Sequence, residues 1–356
     1  MQGVRGSSPL RSTEEHETPS GFRRSCAHRW PGPSGLPRPT TLLRMSNDAP
    51  LAGAPLSGSA LTITAGGYIA EIASVGASLR TLRAEGRDLV VPFSADEVRP
   101  AFRGAVLAPW PNRVVDGRYA FGGQDHELAL TEPKRHHALH GLVAWTDFRV
   151  VAHEPDRAVL ATTVPAQEGY PYRVEVLVEY RVDADGLHTT VTGTNTGGDA
   201  APWGTGPHPY LVAGEGRVDD WTLTLPAAEV LEVTEDRLVP TGLAPVHDEF
   251  DLRTATPIGE RFIDHAFTGF DRDAEGLATI ELTAADGHGV RVSFGPECGW
   301  AQVHTADHVV PEYHRVGLAV EPMTCAPDAF NAGEEAGLVV LAPGAAHAAS
   351  WTIAAV

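Results

Sequence analysis

The chain has 356 residues, of which 42% are apolar and 21% charged, a balance that supports a large buried core in a soluble protein. Its formal charge of −19 argues against nucleic acid as a partner, since phosphate neutralisation needs a basic face, and favours an uncharged ligand. No run of about 18 apolar residues occurs, so no membrane span is expected.

Taken from the N-terminus, the first 44 residues stand apart, with seven arginines, three acidic residues and no apolar periodicity. Pro, Ser, Gly and Arg dominate, so residues 1–45 are read as a disordered or mis-assigned extension ahead of a natural start at Met45. Residues 46–356 are read as one β domain. From about residue 60 the period is two. Tyr172, Val174, Val176, Val178, Tyr180 and Val182 share one face, against Arg173, Glu175, Glu179 and Arg181 on the other. A turn at Asp183–Gly186 returns the chain into Leu187, Thr189 and Val191. The same grammar recurs at Ala278–Thr283, with a turn at Asp286–Gly289 and a return through Val290, Val292 and Phe294. Further short strands are predicted at Ala158–Val164, Trp221–Leu225 and Leu338–Leu341. No long helical pattern alternates with them, which disfavours a parallel α/β sheet. The predicted class is all-β, a large antiparallel β-sandwich.

Cys26, Cys298 and Cys325 are odd in number, with no CxxC pair. They predict reduced thiols in a cytoplasmic protein rather than a disulfide framework or a thiolate metal site. Lys134 is the only lysine and sits beside Arg135, too little for a basic cluster.

Several polar groups stand where structure alone does not require them. Two prolines around Trp110 stiffen the approach to Asn112 and Arg113, a pair whose donors and acceptors suit a ring of hydroxyls or a bridge between loops. His140 follows His136 at a spacing that on a helix would form half of a zinc site, but Pro133 and the lack of helical pattern argue against metal. Pro207 and Pro209 flank His208, so it falls on a stiff loop rather than in a regular central strand. Asp264-His265 breaks an apolar stretch and reads as a hydroxyl acceptor or a turn cap. Glu321 ends an apolar run, where a carboxyl needs a neutralising partner or a raised pKa in a cleft. Two imidazoles and a carboxyl of this kind are the equipment of acid–base chemistry near neutral pH.

In this order the motifs resemble the aldose 1-epimerase (galactose mutarotase) family. The matching stretches are Ser74-Val-Gly-Ala-Ser-Leu79, Ala108-Pro-Trp-Pro-Asn-Arg113, Asp116-Gly-Arg-Tyr119, Leu139-His140-Gly141, His208-Pro209-Tyr210, Asp264-His265 and Glu321-Pro322. The resemblance covers the chain from about residue 60 to its end and implies the galactose mutarotase-like supersandwich. It implies Glu321 as general base at the C1 hydroxyl, His208 as general acid at the ring oxygen and His140 bonded beside it. Arg113 and Asp264 would position the sugar, and Asn112 and Trp300 would line the cleft. It implies no cofactor and no metal, a monosaccharide as the partner, and a monomer or homodimer. Three rivals remain: an enzyme on a phosphorylated or sulfo-sugar, which needs a cationic pocket; a glycosidase, which needs two carboxylates and leaves both histidines idle; and a non-catalytic sugar binder.

Overall fold

Alternation along the predicted hairpin becomes pairing in a computed structural model, which describes residues 54–356. The expected extension at residues 1–45 lies outside the described residues. Strands Val174–Asp183 and Gly186–Asn195 pair in full register, with Val182 opposite Leu187 and Val178 opposite Val191. The inward valines are fully buried, so a single register satisfies the apolar face, and a slip by one residue would expose it.

This hairpin supplies the third and fourth strands of a nine-stranded antiparallel sheet. Arg149–His153 and Arg157–Val164 extend it on one side, and Ala346–Ala355, Gly289–Phe294, Ala278–Thr283, Thr222–Thr224 and Thr256–Pro257 on the other. A six-stranded sheet runs in the order Tyr210–Leu211, Leu318–Met323, Trp300–His304, Asp264–Phe270, Ala227–Val233 and Pro240–Pro245. A four-stranded meander occupies residues 60–88. Inward side chains of all three sheets join one hydrophobic core, including Ile63 and Leu82, Val176 and Ile353, Phe267 and Val303. Among the described residues the single α-helix is Ala329–Ala332, and no helix is long and apolar enough to cross a membrane.

The predicted strands reappear within a residue or two: Arg157–Val164, Thr222–Thr224, Ala278–Thr283 and Val339–Leu341. The last forms a separate two-stranded ladder with Ala201–Trp203. His136 and His140 bracket a strand, His137–Leu139, paired with Arg113–Val115, so the two imidazoles do not share a helix face. Ring nitrogen Nε2 of His137 lies 2.8 Å from the carbonyl of Arg237.

Candidate active site

Register in the six-stranded sheet assembles one wall of the site. Asp264 pairs with His304, Gln302 with Glu321, and His304 also with Ala319, which in turn faces Tyr210. Because successive side chains alternate between faces, Asp264, Gln302, His304, Glu321 and Tyr210 all project from the same side. Their neighbours Phe267, Ala301, Val303, Leu318 and Val320 project from the other, into the main core. Two small apolar groups flank the polar row on its own face. Leu231, Ala266, Trp300, Met323 and Ala326 form one, and Tyr210, Ala306 and Ala319 the other.

Loops make the opposite wall. His208 is held by backbone bonds on both sides: its N–H donates to Ala105 O at 3.0 Å, and its carbonyl accepts from Gly104 N at 2.8 Å. The N–H of His140 donates to the carbonyl of Asn112 at 2.8 Å. Ala101, Phe102, Asn112 and His140 all line the cleft, and all four adopt φ between 47° and 62°. Left-handed backbone is costly for residues with a Cβ and collects where geometry is being imposed on a site. Here it turns one aromatic ring and one imidazole inward. Phe102 lies 4.7 Å from His140, edge to face, and 6.3 Å from His208. The His208 ring stacks on Tyr210 at 5.1 Å.

The cleft so enclosed measures about 600 Å³, within the size range of small-molecule sites. On its floor, His208 Nε2 is 3.4 Å from Glu321 Oε1, and both side chains are almost completely buried. Burial pushes the Glu321 carboxyl well above its ordinary value, Asp264 adds to the rise, and Arg113 opposes it. Burial also pulls His208 down to about 3, helped by the neighbouring His304. His140 is lowered well below its usual range, by burial first and by His208 second. Asp264 behaves oppositely to Glu321. Burial alone would raise it, but His304, Arg113 and the bond from Gln302 Nε2 at 2.7 Å hold it below the usual carboxylate range. Two carboxyl groups in one cleft are thus pushed apart, one favouring the proton and one refusing it. Several buried polar atoms around the floor have no protein hydrogen-bond partner: Nδ1 of His140 and His208, Oε1 of Gln302 and Oε2 of Glu321. Such atoms are expensive to bury unless a ligand bonds them.

Arg113 is fixed by a bidentate pair with Glu132, at 2.7 Å and 3.1 Å, and its third contact is Asn112 Oδ1 at 3.4 Å. Arg135 shares the same carboxylate at 2.9 Å. Lys134, Arg135 and Arg113 all line the cleft, so the cations scattered in sequence gather in space, though two of the three share the single carboxylate of Glu132. Among the described residues, no group of three or more His, Cys, Asp or Glu side chains is placed to hold a metal ion.

A sequence profile of the aldose 1-epimerase family matches residues 59–354. The chain belongs to the aldose 1-epimerase family. It is 37% identical over 294 residues to the uncharacterized protein YihR of Escherichia coli K12, covering 82% of this chain and 91% of that one. It is 30% identical over 224 residues to the galactose mutarotase of Mus musculus, covering 57% and 63% respectively. Among solved structures, the GalM/aldose epimerase homologue of C. elegans superposes with a TM-score of 0.74 at 19% identity, covering 84% of this chain and 98% of that one. The galactose 1-epimerase of Lactobacillus acidophilus gives 0.69 at 18%, with 82% and 92% covered. The fold is therefore the large antiparallel sandwich of the galactose mutarotases, and membership implies an isomerase.

Of the residues singled out in the sequence, Glu321, His208, His140, Arg113, Asp264 and Asn112 meet around the same cleft. Trp300 does not line it, a correction to the expectation. It lies on the same sheet face, but two positions beyond Gln302, roughly 7 Å along the strand, where it packs on Leu231, Ala266 and Met323. Sequence reasoning missed Phe102, Glu132, Gln302, His304 and His308. The signal for Gln302 and His304 was present, since polar residues alternate with Ala301 and Val303 in an otherwise apolar strand. Phe102 carried no such mark.

Proposed function

We propose that the protein interconverts the α and β anomers of a free aldohexose, glucose- or galactose-like, by ring opening and reclosure. The observation that supports this reading best is the 3.4 Å contact between His208 Nε2 and Glu321 Oε1 on the cleft floor. In the reactive state Glu321 is a carboxylate and His208 an imidazolium. Glu321 takes the proton of the C1 hydroxyl while His208 Nε2 gives its proton to the ring oxygen. The C1–O5 bond breaks, its electron pair goes to O5, and C1=O forms. Rotation about C1–C2 and the reverse transfers deliver the other anomer, with protons and electrons conserved.

Burial bears directly on this cycle. Glu321 is driven toward its protonated form and His208 toward its neutral form. That neutral pair holds the same single proton as the ion pair and is what ring opening leaves behind. The dry site therefore favours the open-chain side of the reaction relative to water. His140 stays a neutral hydrogen-bonding group beside the ring oxygen, and Arg113 and Asp264 grip hydroxyls. General acid and base groups contribute roughly 10²–10⁴-fold each, which suffices for a reaction that already runs slowly in water.

The test is anomer exchange of freshly dissolved α-glucose and α-galactose, followed by polarimetry or NMR. Acceleration by catalytic amounts of protein is expected, and absence of acceleration for both sugars removes the proposal in this form. One observation favours a second reading, a sugar with an anionic substituent: Lys134 lines the cleft beside Arg135. Preference for glucose 6-phosphate over glucose in the same assay would select it.

A further inference from the structure

The proposed reaction uses His208 and Glu321 and sets Asp264 on a hydroxyl, but it leaves His304, the cross-strand partner of Asp264 on the same sheet face, without a task. His304 stands directly opposite Asp264 in the ladder, with Nδ1 3.9 Å from Asp264 Oδ1. That nitrogen is buried and makes no protein hydrogen bond. The ring is about one-fifth exposed and lines the cleft. His308, which also lines the cleft, lies perpendicular to it at 5.9 Å and is tilted against Tyr210 at 6.5 Å. Asp264 is more sheltered still, and Gln302 Nε2 occupies its Oδ1. Its other oxygen makes no protein hydrogen bond among the described residues, nor does the Nε2 of His304.

The register fixes where this pair lies relative to the chemistry. The strand that carries Asp264 is separated from the strand of Glu321 by the one carrying Gln302 and His304, so their axes lie about two strand spacings apart, roughly 9–10 Å, and Asp264 is offset by two residues along the ladder. With C1 and the ring oxygen at the Glu321–His208 end, the Asp264–His304 pair faces a hydroxyl elsewhere on the same ring. A carboxylate accepts from a hydroxyl and an imidazole N–H donates to its oxygen, so together they engage the hydroxyl's one donor and one of its two lone pairs.

We propose that His304 and Asp264 form a two-point grip on a single ring hydroxyl, which makes His304 a specificity-determining residue of this enzyme. The inference rests on the aldose 1-epimerase reading of the cleft. A site built around a hydroxyl discriminates strongly against the analogue lacking it, because its buried polar groups are then left unpaired.

The experiment pairs His304→Phe and the milder His304→Gln with glucose and its 2-, 3-, 4- and 6-deoxy analogues, measuring kcat/KM for anomer exchange by NMR and the melting temperature of each variant. Wild type is expected to lose about 10–100-fold on one of the four deoxy sugars. His304→Phe should lose a similar factor on glucose but less than about threefold on that same deoxy sugar, with His304→Gln intermediate. A loss equal across all five sugars, or none on any, overturns the grip, because a structural role would not depend on one substrate atom. Failure of the wild type to accelerate any of the five sugars instead removes the underlying functional reading, and the two failures are thereby told apart.

Discussion

Replacing Glu321 with Gln removes the proposed base while preserving shape and volume in a site where the side chain is 2% exposed. The catalysed rate should fall by about 10²–10⁴-fold, or about 3–5 kcal/mol of transition-state stabilisation. Stability should move the other way. The folded-state pKa of Glu321 is raised by burial and by Asp264, so the native state holds a proton that the unfolded chain has released. Stability linked to this group is full below the unfolded carboxyl value, about 4.3, and is lost as pH rises through the folded one. Glutamine does not titrate, so the variant should equal the wild type near pH 4 and exceed it increasingly toward pH 8. Anomer exchange by NMR and thermal unfolding from pH 4 to 8 measure both halves. A folded Glu321→Gln protein within about threefold of wild-type activity, or one whose relative stability falls with pH, would refute the reasoning.

His208 carries the opposite linkage. Its folded pKa of about 3 lies below the unfolded value, so stability present above about pH 6.5 is lost as pH falls toward 3, and His208→Asn should flatten that acid limb in thermal unfolding. Arg113→Lys keeps the charge but loses the two-bond fork to Glu132. It should cost about 1.5–3 kcal/mol of stability and raise KM several-fold in the exchange assay. Trp300→Phe should lower the melting temperature while leaving KM within about twofold, since that ring packs beside the cleft rather than in it; a tenfold rise in KM would restore Trp300 to the site.

What the sequence disclosed follows from which constraints are local. Period-two alternation from Tyr172 to Val182 reports directly on a strand with one buried face, and the Asp183–Gly186 turn fixes its partner. The polar residues with no structural excuse, Glu321 and His208, were equally legible, because burying them carries a cost that something must offset. Cross-strand neighbours were not legible. Asp264, Gln302, His304 and Glu321 adjoin only through register between strands distant in the chain, and no spacing encodes that register. Trp300 illustrates the reverse error, since the right strand and face still left it two residues past the cleft. Phe102 owes its place to a left-handed turn at Ala101–Phe102 that no residue type there announces.

The most direct test of the His208–Glu321 partnership is non-additivity in anomer exchange. If both groups serve one transition state, the Glu321→Gln/His208→Asn double variant should be no slower than the slower single variant, within about threefold, as for residues that act as a unit. Losses that multiply, each variant costing its full factor in the presence of the other, would mean two independent groups and would contradict the account.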